Sequence, residues 1–346
     1  MLYNIFDVNS RTRKNKITQI KMSKNSIKII VLYLSVFFFL VSCYKEIKTD
    51  SPYIEGLSID NYPIIDGSTS TLPLNTIVAC ELLGLSYVWE GKIVNYFSRL
   101  WGVEPQIASR LRRKFDKRVM SSTTHDAFIN LIDNKAEIAL TARTLSADEK
   151  AYADTKGVML VETPIALDAF IFIVNSHNKA VNLTTENIQD IYTGKVTDWS
   201  ELGIENENSI IRPYIRNPNS GSQELMDMLI MKDLEYIDLP MYEETLVSSM
   251  AGMFDKIALD KSAIGYSVYY YNEYIIRPEG YIKTIAIDGV RPDIETISDK
   301  SYPYTTEVYA VIRSDIDKSS MAYKVYQWLQ TEEGKQAIKK SGYIPN

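Results

Sequence analysis

Three short stretches of this 346-residue chain combine hydroxyl side chains with backbone that leaves amides exposed. They are Gly67-Ser68-Thr69-Ser70-Thr71-Leu72-Pro73, Ser121-Ser122-Thr123-Thr124 and Arg216-Asn217-Pro218-Asn219-Ser220-Gly221-Ser222. Each lies where a strand-like run hands over to a helix-like one. A turn of that kind points unpaired N–H groups outward and adds the positive end of the helix dipole, so it is suited to cradling a small oxyanion. In the third stretch Gly221 permits close approach of the backbone, and Arg216, four residues before Ser220, supplies a fork of charged donors. A Ser or Thr at a helix start is also the ordinary capping residue. Capping alone accounts for any one of these turns; three in one chain, one of them with an arginine, favour binding.

Other chemistries have little to work with. The chain holds two histidines, His125 and His177, and two cysteines, Cys43 and Cys80, with no C-x-x-C or H-x-x-x-H spacing. A zinc site is therefore not expected, and no cofactor is implied. Covalent catalysis needs a base beside its nucleophile, and no G-x-S-x-G elbow is present. A phosphohydrolase or serine hydrolase is thus the disfavoured alternative: His125 reads as a helix-start residue with a satisfied ring and Cys80 as part of an apolar helix face. The net charge is −6, but residues 1–42 carry seven basic groups and one acid, leaving 31 basic and 43 acidic groups, or −12, on the remainder. That balance opposes nucleic acid and any general attraction to an anionic surface.

The elements that must position these turns alternate between strand and helix patterns from residue 63 onward, which predicts an α/β architecture with mostly parallel sheets. Strands are expected at 63–67, 137–142, 168–175, 211–215, 263–266 and 306–312. Helices are expected at 75–85, 126–132 and 223–230, with capped starts at Ser146 and near Thr184, and one amphipathic helix over 321–340.

Six ordered segments then resemble the phosphate-binding proteins of bacterial phosphate ABC importers. They are DGSTSTLPL at 66–74, IALTARTLSADE at 138–149, IQDIYTGKVTDW at 188–199, RNPNSGSQE at 216–224, AIGY at 263–266 and WLQTEEGKQAIKKSGYIP at 328–345. The resemblance implies a two-lobed periplasmic binding protein of type II, each lobe a mostly parallel sheet flanked by helices. Residues 63–165 and 301–346 would form lobe one and 166–300 lobe two, with strand crossings near 163–168 and 300–305. It implies that Ser70, Thr71 and the Leu72 amide form a first cradle, that Ser122, Thr123 and Thr124 form a less securely aligned second, and that Arg216, Ser220, Gly221 and Ser222 form a third. Arg143 stands where family members place an Asp that accepts the proton of hydrogen phosphate, so it too is a candidate ligand contact, and Asp66 and Asp126 are candidate substitutes for the acceptor. The implied protein is a monomer that captures inorganic phosphate and delivers it to an ABC permease. Another oxyanion (sulfate, molybdate, tungstate or an organic phosphate) is the alternative kept open by Arg143, and a sensing role is a further one, since no motif marks a surface for docking to a permease.

The chain also carries an address. Ile29 to Val41 is nearly uninterrupted apolar sequence behind a basic flank, too short to span a bilayer, and it ends in Leu40-Val41-Ser42-Cys43. This resembles a bacterial lipoprotein signal, with 1–42 removed, Met22 the better start, Cys43 lipidated and 43–62 a tether holding the body in the periplasm.

Overall fold

One long strand, Leu160–Asn175, organises the molecule. Its first half pairs antiparallel with Thr305–Arg313, from Leu160 opposite Arg313 to Ala169 opposite Thr305. From Phe170 onward it pairs instead with Ala263–Val268, Phe170 lying opposite Val268. The strand therefore belongs to two sheet regions and changes partner between Ala169 and Phe170. On one side the order continues through Ile138–Thr141 to Ile65–Gly67, the last pair running parallel. On the other it continues to Arg212–Pro213, parallel to Ala263–Val268. The sheet is thus mixed: parallel pairs lie at its flanks, and the shared strand is antiparallel to its neighbours. The structure is a computed structural model that describes residues 50–94, 99–237 and 246–346, all within the unit Thr49–Asn346. The leader, Cys43 and the start of the tether lie outside the described residues.

Composition explains the long strand. AFIFIVN at 169–175 is apolar on both faces because helices cover both, and every residue from Ile165 to Asn175 except Asn175 and Asp168 is apolar and buried. The sequence places the start of this strand at 168, whereas it begins eight residues earlier. Pro164 is the reason: it has no N–H to give to a ladder, and the register slips at that point, Val308 facing Ala166 while Tyr309 faces Pro164. The slip leaves Ile165 as the extra residue of a bulge that absorbs the proline.

Three further expectations are corrected. The segment 50–62 is not a free tether: Ile54, Leu57, Ile59 and Tyr62 are buried in the core, and Tyr53 packs its ring 5.5 Å from that of Trp328. The single C-terminal helix is two, Met321–Trp328 and Glu332–Ser341, because Thr331 caps the second by accepting from the Gly334 amide. A side chain at Gly334 would press on the Trp328 carbonyl. The expected helix 223–230 is a short helix, Gly221–Leu225, that widens into a π-helical turn at Met226–Met231. Cys80 is fully buried, and burial pushes its thiol up to about 12, in keeping with a core residue.

Candidate functional site

The first hydroxyl-rich turn closes against the sheet. Ser68 donates its amide to the Leu140 carbonyl, and a single 3-10 turn, Thr69–Thr71, leads into the helix Leu72–Leu82 with Pro73 in its first turn. Gly67 is required here because a Cβ would lie 2.6 Å from both the Leu140 carbonyl and the Thr71 hydroxyl. Thr71 donates to the Leu140 carbonyl at 2.8 Å and sits 3.0 Å from the Ser68 carbonyl. Its hydroxyl proton holds the loop to the strand instead of facing a ligand.

The second turn ends in Thr123, the N-cap of helix Thr124–Ile132, whose side chain accepts from the Asp126 amide. Thr123 has φ 109°, a conformation costly for a β-branched residue and one that concentrates at binding sites. Ser122 turns inward: its amide donates to Asp66 Oδ1 at 2.9 Å. Asp66 is fully buried and also accepts from the Gly67 amide and from Asn130 Nδ2, both at 2.8 Å. It fastens the first two turns to each other and is not a candidate acceptor for ligand.

The third turn comes from the other side. Arg216 ends a two-residue strand, and its amide donates to Gln223 Oε1 at 3.0 Å and to the Tyr266 hydroxyl at 2.9 Å. Ser220 caps the helix that follows, accepting from the Gln223 amide at 3.2 Å. Asn219 takes the left-handed φ of 66°. The Arg216 side chain is buried, yet its Nε and Nη1 have no partner among the described residues, and Nη2 reaches only Asn217 Oδ1 at 3.4 Å. Burial holds the guanidinium below its ordinary range, and no carboxylate pairs with it among the described residues. An arginine cannot shed its proton, so a desolvated guanidinium without a counter-charge is costly until an anion arrives.

These turns meet across a cavity of about 340 Å³. On the side of the first two turns it is lined by Ser68, Thr69, Ser70, Thr123, Thr124, His125, Asp126 and Ala142. From the third turn come Arg216, Asn217, Asn219, Ser220, Gly221 and Ser222. The second and third turns touch at Gly221, where a Cβ would lie 2.4 Å from the Thr124 hydroxyl. Ser222 is buried with its hydroxyl unpartnered, a second orphaned donor on the Arg216 side.

Of the residues picked out in the sequence, Ser70, Thr123, Thr124, Arg216, Ser220, Gly221 and Ser222 therefore share one cavity. Thr71, Leu72, Ser122 and Arg143 are not among its lining residues. Arg143 grips Glu149 with two bonds, Nη1 to Oε2 at 2.7 Å and Nη2 to Oε1 at 2.8 Å, both partners buried. Its charge is answered inside lobe one, so it is not a ligand fork. The capping box at Ser146, which folds Glu149 back over its helix start, is the sequence signal for that pairing. Sequence reasoning gave no part in the site to Gln223 and Tyr266, which fix the Arg216 backbone; Gln223 is tied in turn to Asp227 and Tyr236.

The chain resembles known proteins in sequence and in fold. The model of the PBP superfamily domain matches residues 108–333. The phosphate-binding protein PstS of Staphylococcus saprophyticus is 23% identical over 251 residues, 69% of this chain and 76% of that one. PstS 2 of Streptococcus agalactiae is 34% identical over 93 residues, 27% of this chain and 30% of its own length. A phosphate ABC transporter substrate-binding protein from Clostridium perfringens, solved with bound phosphate, superposes with TM-score 0.57 at 21% identity, covering 82% of this chain and 98% of that one. An ABC-type phosphate transport receptor from Vibrio cholerae gives 0.55 at 20% identity with the same coverage. Those two likenesses speak for the two-lobed fold, and the match of the domain model over most of the chain settles its kinship: this protein belongs to the PBP superfamily.

Proposed function

We propose that this protein captures inorganic phosphate between its two lobes outside the cytoplasm and hands it to an ABC permease. The observation that carries the reading is Arg216, a buried guanidinium with two unpartnered nitrogens in a cavity whose wall is rich in Ser and Thr and includes the Gly221 turn. An oxyanion supplies the missing counter-charge and accepts the orphaned donors of Arg216 and Ser222 while touching the hydroxyl-lined wall opposite, so it stabilises the closed arrangement over an open one. The phosphate-binding proteins that resemble it in sequence support phosphate as the ligand. Asp126, on the cavity wall, gives the site a carboxylate that accepts a proton from hydrogen phosphate, which sulfate does not have. The lipoprotein-like stretch ending at Cys43 supports anchoring of the mature chain to a membrane by lipid at that residue. Binding, without covalent chemistry on the ligand, is the role.

Titration calorimetry of the purified protein with phosphate and with sulfate tests this. Phosphate binds and sulfate competes poorly, while Arg216→Ala weakens phosphate binding about 100-fold, the scale for deleting a charge-assisted contact to a buried ion. Unchanged affinity in that variant refutes the assignment.

A further inference from the structure

His125 lines the anion cavity, and the role proposed for the Arg216 turn does not use it. Its ring is about one-quarter exposed, and Nδ1 lies 3.0 Å from Glu149 Oε1. Glu149 is fully buried and already receives both Arg143 bonds and the Ser146 amide, so it can only accept. The proton on the ring is therefore held at Nδ1, and Nε2 is left without a hydrogen-bond partner among the described residues. Among the described residues, the charged groups that face this ring come from several elements. Glu149 and Asp148, whose Oδ2 is 3.8 Å from Nδ1, face it from helix Ala147–Lys156. Asp126 follows it on its own helix, Arg143 acts through Glu149, the half-buried Glu224 stands across the cleft near the same cluster, and Arg216 shares the cavity. Arg143 and Glu149 cancel each other, Asp148 and Asp126 favour a second proton on the ring, and Arg216 is the cation that opposes it.

We infer that His125 is a proton-linked ligand contact: anion binding draws a proton onto Nε2, which then donates to the bound oxyanion while Nδ1 stays fixed by Glu149. This rests on the site binding phosphate as proposed above. A dianion more than cancels Arg216, so the one cation opposing a second proton among the groups named is offset on binding and the imidazolium is stabilised in the complex. Capture is then tighter in mildly acidic surroundings than the ligand's own ionisation accounts for.

Phosphate affinity of the full chain, purified in detergent, is measured for the unmodified protein and for His125→Gln at about pH 8.5 and about pH 6. The ligand's ionisation is common to both proteins, so the ratio of their dissociation constants isolates the ring. The ratio is expected near one at the higher pH and about tenfold at the lower. Glu149 keeps its Arg143 and Ser146 partners in the variant, so folding is retained. A second reading comes from NMR, since the chain has only two histidines and His177→Gln assigns them. Saturating phosphate is expected to raise the titration midpoint of the His125 ring by about one pH unit. A flat affinity ratio and an unmoved midpoint, with phosphate still bound, overturn this inference alone. Absence of phosphate binding at either pH overturns the proposed function and this inference together.

Discussion

At the scale of single residues, the site separates hydroxyls that face the cavity from those that hold it together. Thr71 and Ser122 have the residue types of ligand donors, but the Thr71 hydroxyl bonds the Leu140 carbonyl and the Ser122 amide bonds Asp66. Ser70 and Ser220 reach the cavity. The same division applies to the acids: Asp66 is buried under three donors, whereas Asp126 is exposed on the cavity wall. If the site takes hydrogen phosphate as proposed, Asp126 is the group placed to discriminate it from sulfate, because a carboxylate accepts a hydrogen bond from hydrogen phosphate and finds no donor on sulfate. Asp126→Asn keeps the size and removes the charge. Phosphate binding is expected to weaken about tenfold while sulfate binding strengthens, so that competition calorimetry shows the preference narrowing by roughly 2 kcal/mol or more. A preference that survives intact assigns discrimination to another group.

At the scale of elements, closure depends on how near two loops from different lobes can come. Gly221 opens the helix after the Arg216 turn, and its missing side chain is what admits the Thr124 hydroxyl, since a Cβ would sit 2.4 Å away from it. Gly221→Ala is expected to leave thermal stability nearly unchanged in the absence of ligand, weaken phosphate at least tenfold, and abolish the ligand-induced fall in radius of gyration seen by small-angle scattering. Removing the Thr124 hydroxyl with Thr124→Ala in the same chain restores part of the closure, leaving a 3.3 Å contact to Cβ. Much of this level was legible in the sequence. The caps at Ser146 and Thr184, the strands at 138–141 and 263–268 and the Gly221 loop follow from local rules that act over a few residues. What escaped depends on partners far along the chain. The burial of 54–62 depends on helices near residue 328, the length of the Leu160–Asn175 strand depends on a bulge opposite Tyr309, and the fate of the Thr71 hydroxyl depends on a strand 69 residues away. Arg143 was the exception, since its partner Glu149 lies six residues on in a capping box, and a local reading was available.

At the scale of the whole molecule, the strand shared by the two sheet regions carries a buried carboxyl at its crossing. Asp168 lies beside the point where the long strand exchanges Thr305–Arg313 for Ala263–Val268 as its partner. Its Oδ1 accepts from the amides of Ala169 at 2.8 Å and Tyr270 at 2.9 Å, tying the shared strand to the chain that leaves the second sheet region. Its Oδ2 is buried without a partner among the described residues, and burial raises the carboxyl to about 7. The unfolded carboxyl ionises near about 3.9. Between those values the folded chain holds a proton that the unfolded chain has released, so this group's contribution is greatest below about pH 4 and declines as pH rises through the folded value. A shift of about three units sets the full loss at roughly 4 kcal/mol. Asp168→Asn retains the acceptor for both amides and cannot ionise. Urea unfolding of the unmodified protein is expected to lose stability relative to this variant steadily from about pH 4 to about pH 7 and then to run parallel to it. Identical pH profiles would mean that the carboxyl is ionised and solvated in the folded protein. In that case water reaches the junction between the lobes, and the two amides alone hold the crossing in place.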